Sequence, residues 1–285
     1  MGTLTSILLK LLGLIPYPML YLLSDVLQFL VFRVLGYRKK VIRENLKNSF
    51  PKHTTKQLRA IERASAKNFC DVMLENLKLL SIGPKELQKR MPLKNPEVLE
   101  DLKDKQEGVL LISAHYNNWE WMALSLSRYA QQDVYGVYKP LNNSNVDQLM
   151  RKGRERFGAQ LIPMNAFVKS VLKNKGQASI NLMLADQSPH AGKVDYYCEF
   201  LNQDTPVFLG PEKLMKAAAM KMYFMEVHRI KRGFYEMKIV PLEVPVSEEK
   251  GAATLVHVRH LEKILKKDPN NWLWSHRRWK NSRKK

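Results

Sequence analysis

Cysteine is scarce in this 285-residue chain, with only Cys70 and Cys198, far apart. That excludes a disulfide framework and a cysteine-built zinc cage, and it fits a reducing compartment. No His-Glu-x-x-His occurs, so no metal site is expected. Acidic residues are also few, 27 against 47 lysines and arginines, which leaves a net charge of +20. Such an excess implies an anionic partner: a nucleic acid, an anionic membrane surface or a phosphorylated substrate. Internal repeats and low-complexity segments are absent, which sets aside solenoids and disordered arrays. No recognised nucleic-acid motif is present, and the basic residues are spread rather than gathered in one module. Trp272, Trp274 and Trp279 stand among arginines and could stack on bases, but nothing else supports nucleic acid as the partner.

What is there is a globular composition, with 45% hydrophobic and 26% charged residues. The length suits one domain with a terminal appendage. The appendage is an apolar run from Leu4 to Leu35, interrupted by Lys10, Asp25 and Arg33 and broken by Pro16 and Pro18. It carries no small-residue cleavage site, so it does not read as a removed signal peptide. Met19 to Leu35 comes near the roughly 17–25 residues that span a bilayer, yet Asp25 makes it a poor free-standing span. It either crosses imperfectly, lies in the interface as an amphipathic hairpin, or is a buried pair of core helices. Arg33, Arg38, Lys39, Lys40 and Arg43 follow at once, and the positive-inside rule then puts the remainder in the cytoplasm. The expected division is a membrane anchor over 1–36 and a cytoplasmic-face domain over 37–285.

Residues 41–82 read as helices with a break at Phe50-Pro51 and a stop at Gly83-Pro84. Beyond Pro96, short apolar strands (109–114, 134–138, 159–162, 178–185, 221–229 and 235–241) alternate with helical patterns (119–129, 144–157, 166–173, 211–220 and 254–267). This predicts an α/β fold with a mixed central sheet flanked by helices. A basic tail runs from Arg277 to Lys285.

The segment Ser113-Ala114-His115-Tyr116-Asn117-Asn118-Trp119-Glu120 joins the strand pattern to the helix pattern. Five positions on an ideal helix turn a side chain by about 140° net, so His115 and Glu120 would not share a face. His115 is therefore expected at the strand end and Glu120 in the first helical turn, with Asn117 or Asn118 as its cap. There the two side chains could meet as a charge-relay pair, with His115 as general base and Glu120 fixing its tautomer. The alternative is a satisfied, partly buried histidine beside a surface glutamate.

This segment resembles the signature of the lysophospholipid acyltransferase superfamily, and most closely that of the bacterial lipid A late acyltransferases, the lauroyl and myristoyl transferases. Further segments match in order: Tyr138-Lys139-Pro140-Leu141-Asn142-Asn143 with Asp147 and Arg151, Arg154-Glu155-Arg156-Phe157-Gly158, Ala185-Asp186-Gln187, Gly210-Pro211-Glu212, and Trp274-Ser275-His276-Arg277-Arg278-Trp279-Lys280. The family often has Gly where Asn117 stands and Phe-Phe-Gly where this chain has Phe200-Leu201-Asn202. The resemblance implies an enzyme of the bacterial inner membrane, at its cytoplasmic face. It would transfer a fatty acyl chain from an acyl thioester, on acyl carrier protein or CoA, to a hydroxyl of a lipid A-type precursor. No cofactor beyond that co-substrate is implied. His115 and Glu120 would be catalytic. Asn118, Arg151, Arg154, Arg156, Asp186, Glu212 and Arg278 would contact substrate. On the residues alone, Asp186 could equally support the site from behind, Glu212 could simply complement a helix dipole, and Arg278 could lie in a disordered tail. Another glycerolipid, an aminolipid or a mannosylated lipid remains open as acceptor, and a non-enzymatic basic protein that binds membrane or nucleic acid is the reading from a different class.

Overall fold

The computed structural model describes residues 11–283 apart from 191, 193 and 248. The start of the apolar run, Leu4 to Lys10, and the last lysines of the basic tail lie outside the described residues. Helix α1 (Tyr17–Gln28) runs into a π-helical turn (Phe29–Val34), then α2 (Lys39–Ser49) and the long α3 (Thr55–Glu75). Thr54 begins α3 with a capping box, accepting from the Gln57 N–H while the Gln57 side chain meets the Thr54 backbone. A 3₁₀ turn (Asn76–Leu80), α4 (Pro84–Arg90) and α5 (Glu97–Asp104) lead to the sheet.

Six strands form that sheet: β1 (Val109–Ser113), β2 (Asp133–Tyr138), β3 (Gln160–Pro163), β4 (Ser179–Leu184), and, past a hairpin, β7 (Lys221–Lys231) and β8 (Phe234–Pro241). Their order is β3-β2-β4-β1-β7-β8, parallel except for β8, which returns antiparallel beside β7. The sheet is mixed and helix-covered, as the alternation of patterns predicts. All five residues of β1 are buried because both faces of this central strand are covered. Side chains alternate between two cores. Leu110 and Ile112 join Phe167, Val258 and Trp272 on one face, whereas Val109 and Leu111 join Trp121, Leu124 and Met225 on the other.

Helix α6 (Trp119–Tyr129) follows β1, α7 (Ser144–Arg154) follows β2 and α8 (Met164–Lys173) follows β3. Helices α9 (Gly210–Ala218) and α10 (Ala252–Lys267) complete the cover, and a 3₁₀ turn (Pro269–Asn271) leads into the tryptophan-rich C-terminal segment. The sequence patterns do not mark the two-stranded sheet of β5 (Tyr196–Phe200) and β6 (Gln203–Val207). Its two-residue turn places Leu201 and Asn202 at φ of 50° and 61°. Such turns ordinarily carry Asn-Gly, and a leucine in the left-handed region gives no turn signal.

Helix α1 lies along α3. Leu20 and Ser24 are fully buried, and the Ser24 hydroxyl donates to Asp71 at 2.7 Å. Arg232, at the β7–β8 turn, binds Asp25 through two nitrogens at 2.8 and 2.9 Å and also grips Asp71. The awkward acid of the apolar run is thus an ion-pair partner of the body. The opposite side of α1 presents Met19, Leu22 and Val26, and the π-helical turn continues it with Phe29 and Leu30.

Candidate active site

Strands β1 and β4 are parallel neighbours with Ser113 opposite Leu184. Two residues past each strand end stand His115 and Asp186, so the register brings them face to face. His115 Nδ1 lies 2.7 Å from Asp186 Oδ1, and the His115 backbone N–H donates to Asp186 Oδ2 at 3.0 Å. The Trp272 indole N–H donates to the same oxygen at 2.8 Å. Burial disfavours the charged form of His115, but the adjoining Asp186 carboxylate outweighs it and raises the imidazole pKa. Burial likewise works against the Asp186 charge. The His115 ring and the His115 and Trp272 donors prevail and hold its pKa at about 2. An ionised Asp186 fixes Nδ1 as the protonated nitrogen and leaves the Nε2 lone pair free to accept. The Gln187 side-chain nitrogen reaches Nε2 at 3.1 Å, and Trp119 packs edge-on against the ring with centroids 5.2 Å apart.

Glu120 does not make the expected hydrogen bond to His115. It does sit in the first turn of α6, but its carboxylate receives a two-pronged bond from Arg154 on α7, at 2.6 and 2.7 Å. A guanidinium fork matches a carboxylate better than one imidazole N–H does, and Asp186 already occupies Nδ1. Glu120 still acts on His115 through space, adding to the rise in its pKa.

His115, Glu120 and Arg154 border a cavity of about 220 Å³. Its walls are apolar, formed by residues such as Met122, Val134, Val137, Leu161, Leu182 and Leu184 from α6, β2, β3 and β4. Met183 and Phe200 pack into the core on the other face of the sheet. The arrangement couples a base held in one tautomer to a cation and an apolar pocket, as an acyl transfer requires.

A family model described as bacterial lipid A biosynthesis acyltransferase matches residues 2–281. The chain belongs to that family. The lauroyltransferase of lipid A biosynthesis from Escherichia coli is 22% identical over 275 residues, 93% of this chain and 87% of the relative. The palmitoleoyltransferase of the same organism is 24% identical over 282 residues, 93% and 86% of the two chains. A lipid A biosynthesis acyltransferase of Haemophilus influenzae is 25% identical over 237 residues, 81% and 72%.

The other expected contact residues of this acyltransferase fall into two groups. Arg151 and Arg154 share α7; Arg151 pairs with Glu155 at 3.3 Å and leans over the Tyr138 ring. Arg156 is turned away, donating to the Leu79 carbonyl at 2.8 Å. Asn118 is fully buried as the cap of α6, accepting from the Trp121 N–H and donating to Glu75 at 2.6 Å. No face of it is left for substrate. Glu212 is also buried, accepting from Gly251, from the Thr254 backbone and from the Thr254 hydroxyl. Its charge supports the start of α10, because those N–H groups have no partners in the helix itself. Arg278 belongs to a folded segment rather than a loose tail; it is 3% exposed and donates to the Pro206 carbonyl at 2.7 Å. The site residues that sequence reasoning passed over are Gln187 and Trp272. Each lay inside or beside a quoted motif, but its contact with the His–Asp couple depends on tertiary folding.

Proposed function

We propose that the acyltransferase moves a fatty acyl chain from an acyl thioester, on acyl carrier protein or CoA, to a hydroxyl of the lipid A precursor, with His115 as general base. The observation that carries this reading is the apolar cavity with His115, Glu120 and Arg154 at its border. The donor chain occupies the cavity and the thioester carbonyl lies at its mouth. His115 Nε2 takes the proton of the acceptor hydroxyl as its oxygen attacks the carbonyl carbon. The C–S bond then breaks, and the thiolate leaves with the proton from His115. No covalent acyl-enzyme is needed, because a thioester is already activated. Asp186 keeps the tautomer and stabilises the imidazolium. Arg154, aligned by Glu120, has N–H donors beyond the two on that carboxylate, and these stabilise the developing oxyanion. The anchor lies in the interface at the cytoplasmic face of the inner membrane. Support comes from α1, which packs along α3 by one side and exposes apolar residues on the other.

Mass spectrometry of lipid A from a strain lacking the protein should reveal a missing acyl chain, restored by the wild type. His115→Ala should fail to restore it, with purified activity reduced by about 10²–10⁴-fold. Unchanged lipid A in the deletion strain, or full activity in a folded His115→Ala protein, would refute the proposal.

A further inference from the structure

Two adjoining clefts of about 300 Å³ each lie between α2 and α3, the first of them also walled by the π-helical turn. They share Arg43, Arg59 and Glu62. The first is rimmed by Arg33, Lys39, Arg59 and Arg63 and lined beneath by Phe32, Ile42 and Ala66. Glu62 is the one acid in either lining, and Arg43 already binds it at 3.0 and 3.1 Å. Among the described residues, the exposed side chains of Arg33, Lys39, Arg59 and Arg63 have no hydrogen-bond or ion-pair partner. Four unneutralised cations around one concavity repel each other, and an anion seated among them removes that repulsion.

The lining narrows the choice of anion. Ile42 and Ala66 at the base of the first cleft are already buried, but the exposed apolar side of α1 (Leu22 and Val26) and of the π-helical turn (Phe29 and Leu30) runs up to the lining residues Phe32 and Arg33, and an apolar part of the ligand would cover it. Carboxylates of a carrier protein would pair with the cations but would leave the neighbouring apolar residues Leu22, Val26, Phe29 and Leu30 exposed. We propose that the cleft seats the headgroup of an anionic phospholipid from the bilayer. Its phosphate lies among Arg33, Arg59 and Arg63, and its chains run along α1. Phe32, Ile42 and Ala66 also line the small cavity against Trp272 and Trp274, so the seat adjoins the segment that supplies a donor to Asp186.

The full chain, in neutral detergent, would be titrated with short-chain phosphatidylglycerol, short-chain phosphatidylcholine and glycerol 3-phosphate, with binding followed by tryptophan fluorescence and calorimetry. Phosphatidylglycerol should bind at least about tenfold more tightly than the other two, and Arg59→Glu/Arg63→Glu should abolish that preference. A charge-matched control on α8, Lys169→Glu/Lys173→Glu, should retain it. Arg33→Gln/Lys39→Gln, a milder change, should weaken it in part and covers the case in which the reversal does not fold. Equal affinity for phosphatidylcholine overturns the proposal, as does glycerol 3-phosphate binding as tightly as the lipid or an equal loss in the α8 control. Loss of acyl carrier protein binding in Arg59→Glu/Arg63→Glu, with lipid binding intact, would assign the cleft to the carrier instead. The readout is binding, so failure here leaves the acyl-transfer reading standing.

Discussion

His115 and Asp186 are 71 positions apart, yet they are in direct contact, 2.7 Å, at the sheet edge. Each was visible in the sequence as a polar residue closing an apolar strand. Their partnership was not, because it depends on which strands are neighbours and in what register, which no local pattern encodes. The pairing of Glu120 with Arg154 was hidden for the same reason. Asn117 illustrates the converse. The departure from the family's usual glycine is explained by a φ of 54°, a left-handed conformation that asparagine tolerates better than other residues with a Cβ. The His–Asp couple sets a pH dependence. In the proposed mechanism only neutral His115 is a base, so kcat/KM should rise with pH through an imidazole pKa that lies above its ordinary 6.5. Asp186→Asn removes the charge that raises it, so the acid limb should move to lower pH while the plateau falls by orders of magnitude, about 10⁴-fold by analogy with triads. An unmoved limb in the pH–rate profile would show that Asp186 does not govern His115.

At the scale of elements, the strands and helices from Val109 onward follow the sequence patterns closely, since buried parallel strands read as short apolar runs and amphipathic helices as spaced ones. The β5–β6 hairpin escaped because its turn is built from Leu201 and Asn202. Leu201 is fully buried, with its N–H held by Glu262 at 2.7 Å, so tertiary contacts rather than turn chemistry keep it left-handed. If the donor chain occupies the cavity as proposed, its length is also set by elements, through the spacing of β2, β3 and α6. Gly136 on β2 lines it, and a Cβ there would come within 3.2 Å of Leu161 Cδ2. Gly136→Val should therefore shorten the preferred donor chain, lowering kcat/KM for long thioesters more than for short ones. Competition between thioesters of different length measures this; an unchanged ratio would place the chain elsewhere.

Across the whole molecule, α3 ties α1 to α6. Its last residue, Glu75, is buried and accepts from Tyr21 of α1, from Tyr235 of β8 and from Asn118 at the head of α6. Burial pushes its carboxyl up to about 7, although these three donors favour the charged form. A folded-state pKa above the ordinary 4.5 gives a contribution to stability that is full below about 4.5 and is lost as pH rises through about 7. Glu75→Gln has no such titration, so the Tm of the wild type relative to this variant should fall across that window. Parallel Tm curves between pH 4.5 and 7 would contradict it. A different consequence follows from the Trp272 indole on Asp186. The Asn271 carbonyl accepts from the Asn117 N–H, and Trp272 bridges Tyr116 beside His115. Translation delivers α1 and all strands of the sheet before this clasp. The indole hydrogen bond to Asp186 is therefore supplied only after every strand of the sheet has been made.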